Sequence, residues 1–298
     1  MTSEYTEISQ QEHAQPASPD EDTKLVNRLK EAIFRSAKGF ERFKEQLPFL
    51  LRKAIDEVID APRTGRFTVD ELEKTEKTYL GTKVEILLRN WLRFPRGRAL
   101  DLVIDGIETD VKNTMGDSWM IPTEAVGHPC LLVKTNEKLA RFSIGIIVAR
   151  PEFLRPGVNK DGKRGISATG QQRIHWILKD ESYPENFWQG FDDELRRKIM
   201  SQSSGAKRVD ALFRYVQKKP ISRSHVLAVA QQKDAMKRLR RNGGARDSLA
   251  SDGIELLSGT YDSARIETLG LPKCKKDEFI SFASANESNE ARSKPKLS

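Results

Sequence analysis

"ALDLVIDGIETDVKNT" (residues 99–114) places an Asp105–Gly106 pair between two runs of alternating β-branched residues. This pattern is the strongest short-range signal for a β-hairpin with a two-residue turn. Counting outward from the turn places Asp101 opposite Asp110. The predicted register consists of the pairs Ile104–Ile107, Val103–Glu108 and Leu102–Thr109, followed by Asp101–Asp110.

Two carboxylates that face each other across a hairpin need an explanation. Directly opposed side chains have Cβ atoms about 4.5–5.5 Å apart, and like charges at that spacing are destabilising. Lys112 lies two residues beyond Asp110 and therefore projects from the same face of the strand. The pair is tolerated if a cation neutralises it or if one acid keeps its proton. Oxygen ligands without a neighbouring His or Cys favour Mg²⁺.

Such a group is suited to the hydrolysis of phosphodiester bonds. A bound ion would polarise the phosphoryl oxygen and lower the pKa of the attacking water. Lys112 would stabilise the charge of the transition state or orient that water. The alternative is an exposed hairpin in which Asp110 and Lys112 only neutralise each other, and the hairpin alone leaves both interpretations open.

A third acid precedes the hairpin, in the stretch "VEILLRNWL" (84–92). Its apolar residues recur at helical spacing and form one buried stripe. Glu85 falls at the edge of that stripe, so its carboxylate can reach toward the strand pair that follows. It is read either as an accessory acid of the same site or as an ordinary boundary glutamate.

Further elements follow from apolar periodicity and turn signals. Residues 1–23 and 283–298 are predicted to be disordered, and residues 24–60 to be helical. Strands are predicted at 99–105, 107–113, 130–135 and 141–150, and a helix around "QQRIHWILKD" (171–180). The predicted domains are 24–180 and 191–282, joined by a linker at 181–190.

The second predicted domain is mostly helical. Helices are predicted at 191–201, 206–218, 222–241 and 245–251, with a break at "NGG" (242–244) and a strand at "GIELLSG" (253–259). Helices that end in a Gly-led strand indicate a helix-turn-helix with a wing. Either residues 233–241 or the short helix after the glycines would enter a DNA groove.

Basic charge is concentrated in this part of the chain. The net charge is +8 over 298 residues, but residues 205–246 alone hold twelve Lys and Arg against two Asp. A basic segment of this kind is the electrostatic pattern of a nucleic-acid surface, although a solvated helix face gives the same signal. The predicted DNA contacts are Arg223, Lys233, Lys237, Arg238, Arg240, Arg241 and Arg246.

Several classes of protein are disfavoured. No apolar run has the length of a membrane helix, and the polar N-terminus has no signal-peptide core. The two cysteines lie far apart without a CxxC pattern, which favours reduced thiols and a cytoplasmic location. The four histidines show no metal-ligand spacing, so zinc is not expected.

Seven stretches together resemble a known family. They are "RTGR" (63–66), "KTEKT" (74–78), "GTKVEI" (81–86), "LD" (100–101), "DVK" (110–112), "WMIPTEAVGH" (119–128) and "NGGAR" (242–246). A helix acid, a strand acid and then D-x-K resemble the PD-(D/E)xK nuclease pattern. More narrowly, the chain resembles the NaeI family of restriction endonucleases.

This resemblance implies a fold and a function. The fold would be an α/β (α+β) PD-(D/E)xK core with a mixed sheet flanked by helices, followed by a mainly α, winged helix-turn-helix domain. Asp101 and Asp110 would be Mg²⁺ ligands, Glu85 the accessory acid and Lys112 the fourth active-site residue. The protein would be a homodimer that cuts double-stranded DNA at specific sites and is activated by a second DNA copy bound to its C-terminal domain.

Two other functions remain compatible with the residues. A DNA-binding regulator without catalysis would use the helix-turn-helix alone, but it leaves the opposed carboxylates unexplained. A repair-type nicking endonuclease would use the same active site and cut one strand.

Overall fold

The computed structural model describes residues 19–232, 234–239 and 244–283. They form two compact units. The first unit contains the described residues up to Pro48, together with Val84–Asn136 and Arg141–Ser182. The second contains Phe49–Lys83, Glu137–Ala140 and the described residues from Tyr183 onward. The prediction divides the chain once, at residues 181–190. The second unit, however, also contains two segments that precede this division, Phe49–Lys83 and Glu137–Ala140.

Helices come first along the chain, followed by a region of strands and then by a second helical region. The N-terminal helices are α1 (Pro19–Ala37), α2 (Phe40–Ile59), α3 (Ala61–Thr64) and α4 (Lys74–Leu92). The next elements are β1 (Leu102–Ile104), β2 (Ile107–Thr114), β3 (Met120–Ile121), β4 (Pro129–Asn136), β5 (Arg141–Val148), β6 (Leu154–Val158), β7 (Arg164–Ile166), α5 (Ala168–Gln172) and β8 (His175–Ser182). The last elements are α6 (Asp193–Met200), α7 (Gly205–Tyr215), β9 (Ile221–Ser222), α8 (Arg223–Ala230), α9 (Ala245–Ser251), β10 (Ile254–Ser258), α10 (Ser263–Thr268) and β11 (Glu278–Ala283).

A five-stranded mixed sheet is the centre of the first unit. Its strand order is β1-β2-β4-β5-β8. β2 and β4 are parallel, whereas the other neighbouring strands are antiparallel. α1 packs against β1 and β5. The predicted mixed sheet with flanking helices is therefore confirmed.

The hairpin β1–β2 has three of the four predicted pairs, whereas Asp101 precedes β1 and its predicted pairing with Asp110 is not part of the ladder. Leu102 pairs with Thr109, Val103 with Glu108 and Ile104 with Ile107. Asp105 and Gly106 both have positive φ angles, of 51° and 80°. A type I′ turn requires that conformation at both central residues, and its twist matches that of the strands.

A smaller antiparallel sheet, in the order β3-β7-β6, packs on the main sheet. One apolar cluster joins residues of both sheets, and all its members in the following list are buried. They are Cys130, Leu132 and Ile147 from the main sheet and Ala149 directly after β5, with Trp119, Ile121, Leu154 and Ile166 from the small sheet and its edges. Trp119 also donates a hydrogen bond of 2.8 Å from Nε1 to the Val133 carbonyl.

The second unit combines α6–α10 with an antiparallel three-stranded sheet in the order β10-β11-β9. α7 packs against α8 and α9, and α9 against β10. The side chain of Arg208 donates hydrogen bonds to the carbonyls of Val229 (2.7 Å) and Ala230 (2.8 Å) at the end of α8. Basic side chains commonly satisfy the last carbonyls of a helix in this way. Arg208 is therefore used inside the unit, although it belongs to the basic segment.

Two predicted helices are wrong. Residues 171–180 contain the end of α5 and most of β8 rather than one helix. β8 pairs with β5 through Ile144–Leu178 and Gly145–Trp176. "IHWIL" is rich in β-branched and aromatic residues, which fit a strand packed between neighbours. A short apolar run of this kind does not distinguish strand from helix by its periodicity.

The predicted helix 222–241 is likewise interrupted. α8 ends at Ala230, because Gln231 adopts a left-handed conformation with φ 49° and closes the helix. A short 3₁₀ segment, Ala235–Leu239, follows. Residues 240–243 lie outside the described residues.

The predicted chain ends also need correction. α1 begins at Pro19, within the segment predicted to be disordered. Proline is favoured in the first turn of a helix, and the acids Asp20, Glu21 and Asp22 there complement the helix dipole. Asp22 also forms an ion pair of 2.7 Å with Arg150. Residues 1–18 and 284–298 lie outside the described residues.

The helices in the described part of the chain lack the combination of length and apolar character needed to cross a bilayer.

Candidate active site

Asp101, Asp110 and Lys112 meet at the base of the β1–β2 hairpin. Lys112 Nζ donates a hydrogen bond of 2.8 Å to Asp110 Oδ1 and lies 3.5 Å from Asp101 Oδ2. The same Asp101 oxygen accepts a hydrogen bond of 2.8 Å from the amide of Val111. The predicted group of two acids and one lysine is therefore present in the structure.

Asp110 is buried, with 3% of its surface exposed. Its pKa is raised to about 7, first by burial and further by the neighbouring Asp101, while Lys112 opposes the shift. Oδ2 of Asp110 is buried and accepts no hydrogen bond from the described residues, although Lys112 Nζ is 2.8 Å away. A buried carboxylate is costly unless positive charge compensates it, and a bound cation would add to the charge that Lys112 supplies.

Lys112 is held by both acids. Burial alone would lower its pKa, but the charge of Asp110, their hydrogen bond and the charge of Asp101 outweigh burial and raise the pKa. The ammonium therefore stays charged, and its position is fixed by a further hydrogen bond of 3.1 Å to the Val111 carbonyl.

Glu108 organises the loop that leads into Asp101. Its carboxylate accepts hydrogen bonds from three consecutive amides, those of Arg98 (2.6 Å), Ala99 (3.0 Å) and Leu100 (2.7 Å). The amides of Arg98 and Leu100 hold the pKa of Glu108 below its usual range. Because these residues directly precede Asp101, Glu108 fixes the approach of the chain to the site.

Sequence reasoning missed this role of Glu108. Its partners are backbone amides, which leave no side-chain motif. One signal was present in Gly97. A Cβ atom there would lie 2.3 Å from the Leu100 carbonyl oxygen and 2.8 Å from Glu108 Oε2. A glycine at that point therefore indicates a tightly folded loop.

Glu85 lies on α4, and its electrostatic environment includes Asp101. Burial, followed by the charge of Asp101, raises its pKa. Its carboxylate accepts a hydrogen bond of 2.9 Å from Arg89, one helical turn away. Within the described ranges no three Asp, Glu, His or Cys side chains converge closely enough to hold a metal ion. The structure thus brings Asp101 and Asp110 together, while Glu85 is bound to Arg89.

The donor set of the acidic pair nevertheless fits a hard divalent ion. Asp101 and Asp110 offer carboxylate oxygens, one of which is buried without a hydrogen bond. Mg²⁺ is commonly held by one or two carboxylates and keeps several waters. The thiol of Cys130 lies on the neighbouring strand at the level of Asp110, but burial raises its pKa, so it does not offer a thiolate.

The predicted DNA contacts are only partly described. Lys233, Arg240 and Arg241 lie outside the described residues, and nothing is described of the Arg238 side chain. Lys237 is exposed and pairs with Asp234 at 2.8 Å. Arg223 and Arg246 line a cavity of about 530 Å³ in the second unit, together with Lys276 and the exposed Tyr261. Lys276 was not predicted.

Comparison with known proteins gives two matches. The model of the family described as Restriction endonuclease NaeI matches residues 41–297. The chain is also 35% identical, over 240 residues, to the type II restriction enzyme NaeI of Lentzea aerocolonigenes. That alignment covers 78% of this chain and 75% of that enzyme.

The mixed sheet and the Asp–Asp–Lys group are compatible with a nuclease, and these matches show that the protein is a restriction endonuclease, an enzyme that hydrolyses DNA. The chain belongs to the restriction endonuclease NaeI family. The resemblance inferred from the seven motifs is confirmed, as is the prediction of an enzyme. The prediction of a regulator without catalysis is not supported.

Proposed function

We propose that this restriction endonuclease cuts both strands of duplex DNA with Mg²⁺ held by Asp101 and Asp110, and with Lys112 as its essential cation. The observation that supports the proposal most strongly is the contact of Lys112 Nζ with Asp110 at 2.8 Å, within reach of Asp101. When bound, the ion would polarise the scissile phosphate and lower the pKa of the attacking water.

Each side chain has a distinct task in this proposal. Asp101 and Asp110 provide the oxygen ligands, and both carboxylates lie within 3.5 Å of Lys112 Nζ. Lys112 places its positive charge beside the phosphate oxygens, where negative charge accumulates in the transition state. Glu85 is the accessory acid. Its carboxylate must give up the hydrogen bond from Arg89 before it can act at the site.

Plasmid cleavage tests the site. Asp110→Asn should cut supercoiled plasmid in Mg²⁺ roughly 100-fold more slowly than wild type, or worse, because a ligand and a charge are lost. Asp105→Asn is the matched control, since it removes the same charge from the turn of the same hairpin. Equal rates for wild type and Asp110→Asn would refute the active site. Linear product without accumulated nicked plasmid would distinguish double-strand cutting from the nicking alternative.

We infer that the second unit is a winged helix-turn-helix. From Asp193 onward its helices and strands run α6, α7, β9, α8, α9, β10, α10, β11, and its sheet order is β10-β11-β9. In this interpretation α8 and α9 are the helix pair, and the β10–β11 connection is the wing. α9 is the favoured recognition helix, because the described part of 233–241 is only a short 3₁₀ segment. Arg246, its second residue, is then placed where such helices contact DNA.

Gel-shift affinity tests this inference. Arg246→Ala should weaken binding of a plasmid fragment about tenfold. Arg265→Ala is the control, because Arg265 is an exposed arginine of the same unit that pairs with Glu255 at 2.7 Å. Unchanged binding by Arg246→Ala would contradict the assignment of α9.

The active enzyme in this proposal is a homodimer that binds two DNA copies, one to be cut and one as activator. Both statements are what the resemblance to the NaeI family implies. True coupling requires that the second DNA changes affinity or rate at the first site. A two-site plasmid should be cut faster than a one-site plasmid, and added cognate oligonucleotide should rescue the slower one. Sedimentation equilibrium tests the dimer.

A further inference from the structure

The small sheet lies on the same face of the main sheet as the catalytic acids. Asp110 is in register with Cys130, and Lys112 with Leu132, on the parallel strands β2 and β4. Registered residues of neighbouring strands point to the same face. Cys130 and Leu132 belong to the cluster that packs on Ile121, Leu154 and Ile166. The β3-β7-β6 sheet is therefore seated beside the acidic pair.

One hairpin of that sheet extends away from the cluster. We call residues 154–166, comprising β6, β7 and their connection, the basic hairpin. Leu154 and Ile166 pair with each other and are buried at its base. Residues 155–161 beyond that base are all exposed, including Val158 with 64% of its surface accessible.

The charge of the basic hairpin is strongly positive. It contains Arg155, Lys160, Lys163 and Arg164 against the single acid Asp161. Arg164 is used internally and donates a hydrogen bond of 2.7 Å to the Arg155 carbonyl. Arg155, Lys160 and Lys163 have no ion-pair partner among the residues that the structure describes. Three cations thus remain available to an external anion.

The tip of the hairpin is preorganised. The side-chain oxygen of Asn159 accepts hydrogen bonds of 2.9 Å from the amides of Asp161 and Lys163. Thr123 donates a hydrogen bond of 3.3 Å to the carbonyl of Gly162, which ties the tip to the segment after β3. A fixed tip loses little conformational freedom on binding, which favours affinity.

We propose that the basic hairpin binds the duplex that the acidic pair cuts. The inference rests on the proposed function, because it takes DNA as the ligand of the same face. Duplex DNA carries one negative charge per about 1.7 Å of helix axis, so neighbouring cations on this face gain from each bound phosphate. A two-stranded β-ribbon also fits the major groove, where Arg and Lys read guanine. The hairpin is thereby a DNA-binding element of the first unit, separate from the basic segment of the second.

Salt-dependent cleavage tests the proposal. The probe is a linear plasmid fragment that the wild type cuts once, incubated with excess protein in Mg²⁺ at several NaCl concentrations. The double variant Arg155→Ala/Lys160→Ala should need at least about tenfold more protein for half-maximal cleavage at the higher salt. Its slope of log affinity against log salt should fall by about 1.8, because two phosphate contacts are lost. The rate at saturating protein should change little, since the acids and Lys112 are intact.

The matched control removes two cations elsewhere in the same unit. Lys24→Ala/Lys44→Ala does so at lysines that pair with Asp20 and Glu181. If the hairpin variant has the same half-maximal concentration and salt slope as this control, the proposal is overturned. Thermal unfolding should be unchanged in both, because the altered side chains are exposed.

Failure of the hairpin is distinguishable from failure of the active site. Gel shift of the same fragment in EDTA measures the contribution of the hairpin without any cleavage. A reduced salt slope there supports the hairpin even if Asp110→Asn cuts like wild type, and an unchanged slope overturns it even if Asp110→Asn is inactive.

Discussion

The two hairpins of the first unit treat charge in opposite ways. The acidic hairpin β1–β2 buries Asp110 and holds it against Lys112 at 2.8 Å. The basic hairpin, residues 154–166, leaves Arg155 and Lys160 exposed without internal partners among the described residues. A buried charge must be compensated within the fold, whereas a solvated one need not be. In our proposals, the compensated side chains of the acidic hairpin take part in the reaction, whereas the uncompensated cations of the basic hairpin bind DNA.

The largest effect should follow from removing the cation of the acidic hairpin. Lys112→Met should reduce plasmid cleavage at least about 100-fold, because the transition state loses its positive charge. It should also destabilise the protein, since breaking a buried charge pair leaves the acids uncompensated. Cleavage assays and thermal unfolding in EDTA measure the two effects. If Lys112→Met cleaves plasmid as fast as the wild type, the cation of the acidic hairpin is not needed for the reaction.

A smaller loss is expected at Glu108. Glu108→Ala should reduce cleavage about 10- to 100-fold, because groups that orient metal ligands commonly have effects of that size. Glu108→Gln keeps one acceptor oxygen for the loop amides and should retain more activity than Glu108→Ala. Asp105→Asn is again the control on the same hairpin. If Glu108→Ala and Glu108→Gln cut equally fast, the loop does not depend on that carboxylate.

The next largest effect is the pH dependence of stability, which should arise from the buried Asp110 of the acidic hairpin. The folded pKa of Asp110, about 7, lies above its usual value of 3.8. Between these values the folded state binds more protons than the unfolded state, so stability in EDTA should fall as the pH rises through this window. Asp110→Asn should flatten the profile, because the buried carboxyl group with the raised pKa is then absent. Urea unfolding from about pH 4.5 to 8 measures this, and identical profiles for wild type and Asp110→Asn would contradict it.

The smallest effect concerns the lone acid of the basic hairpin. Asp161→Asn removes one negative charge near the proposed DNA contacts and should raise affinity for plasmid fragment about two- to fivefold at low salt, with less gain at high salt. Glu31→Gln, an exposed glutamate on α1, is the control for net charge. Equal effects of both substitutions would show that only the total charge matters.

The sequence was sufficient for the acidic hairpin because its information is local. The Asp105–Gly106 turn fixes the register of β1 and β2. Asp110 and Lys112 lie on β2, and Asp101 directly precedes β1, which brings the three side chains together. The local pattern did not predict β8, because its partner strand lies far away in the sequence. β5 ends 27 residues before β8 begins, so the residues of β8 alone do not reveal the pairing. The end of α8 depends on one left-handed residue, Gln231, which has no strong sequence signal.

The site was predictable to a similar extent. Its acids and lysine follow from hairpin geometry, whereas Glu108 acts through backbone amides and leaves no motif. The basic segment of residues 205–246 was recognised by its charge. Composition did not reveal that Arg208 is used to close α8.

The parallel pairing of β2 with β4 links the two sheets of the first unit through one connection. Parallel neighbours need a crossover connection, and residues 115–128 provide it and contribute β3 to the small sheet on the way. β2, which bears Asp110, and β3, which belongs to the sheet that carries the basic hairpin, therefore lie on one continuous piece of chain. Substitutions at the exposed tip of the basic hairpin therefore leave the main sheet intact, whereas deletion of residues 115–128 would remove the connection that makes β2 and β4 parallel neighbours.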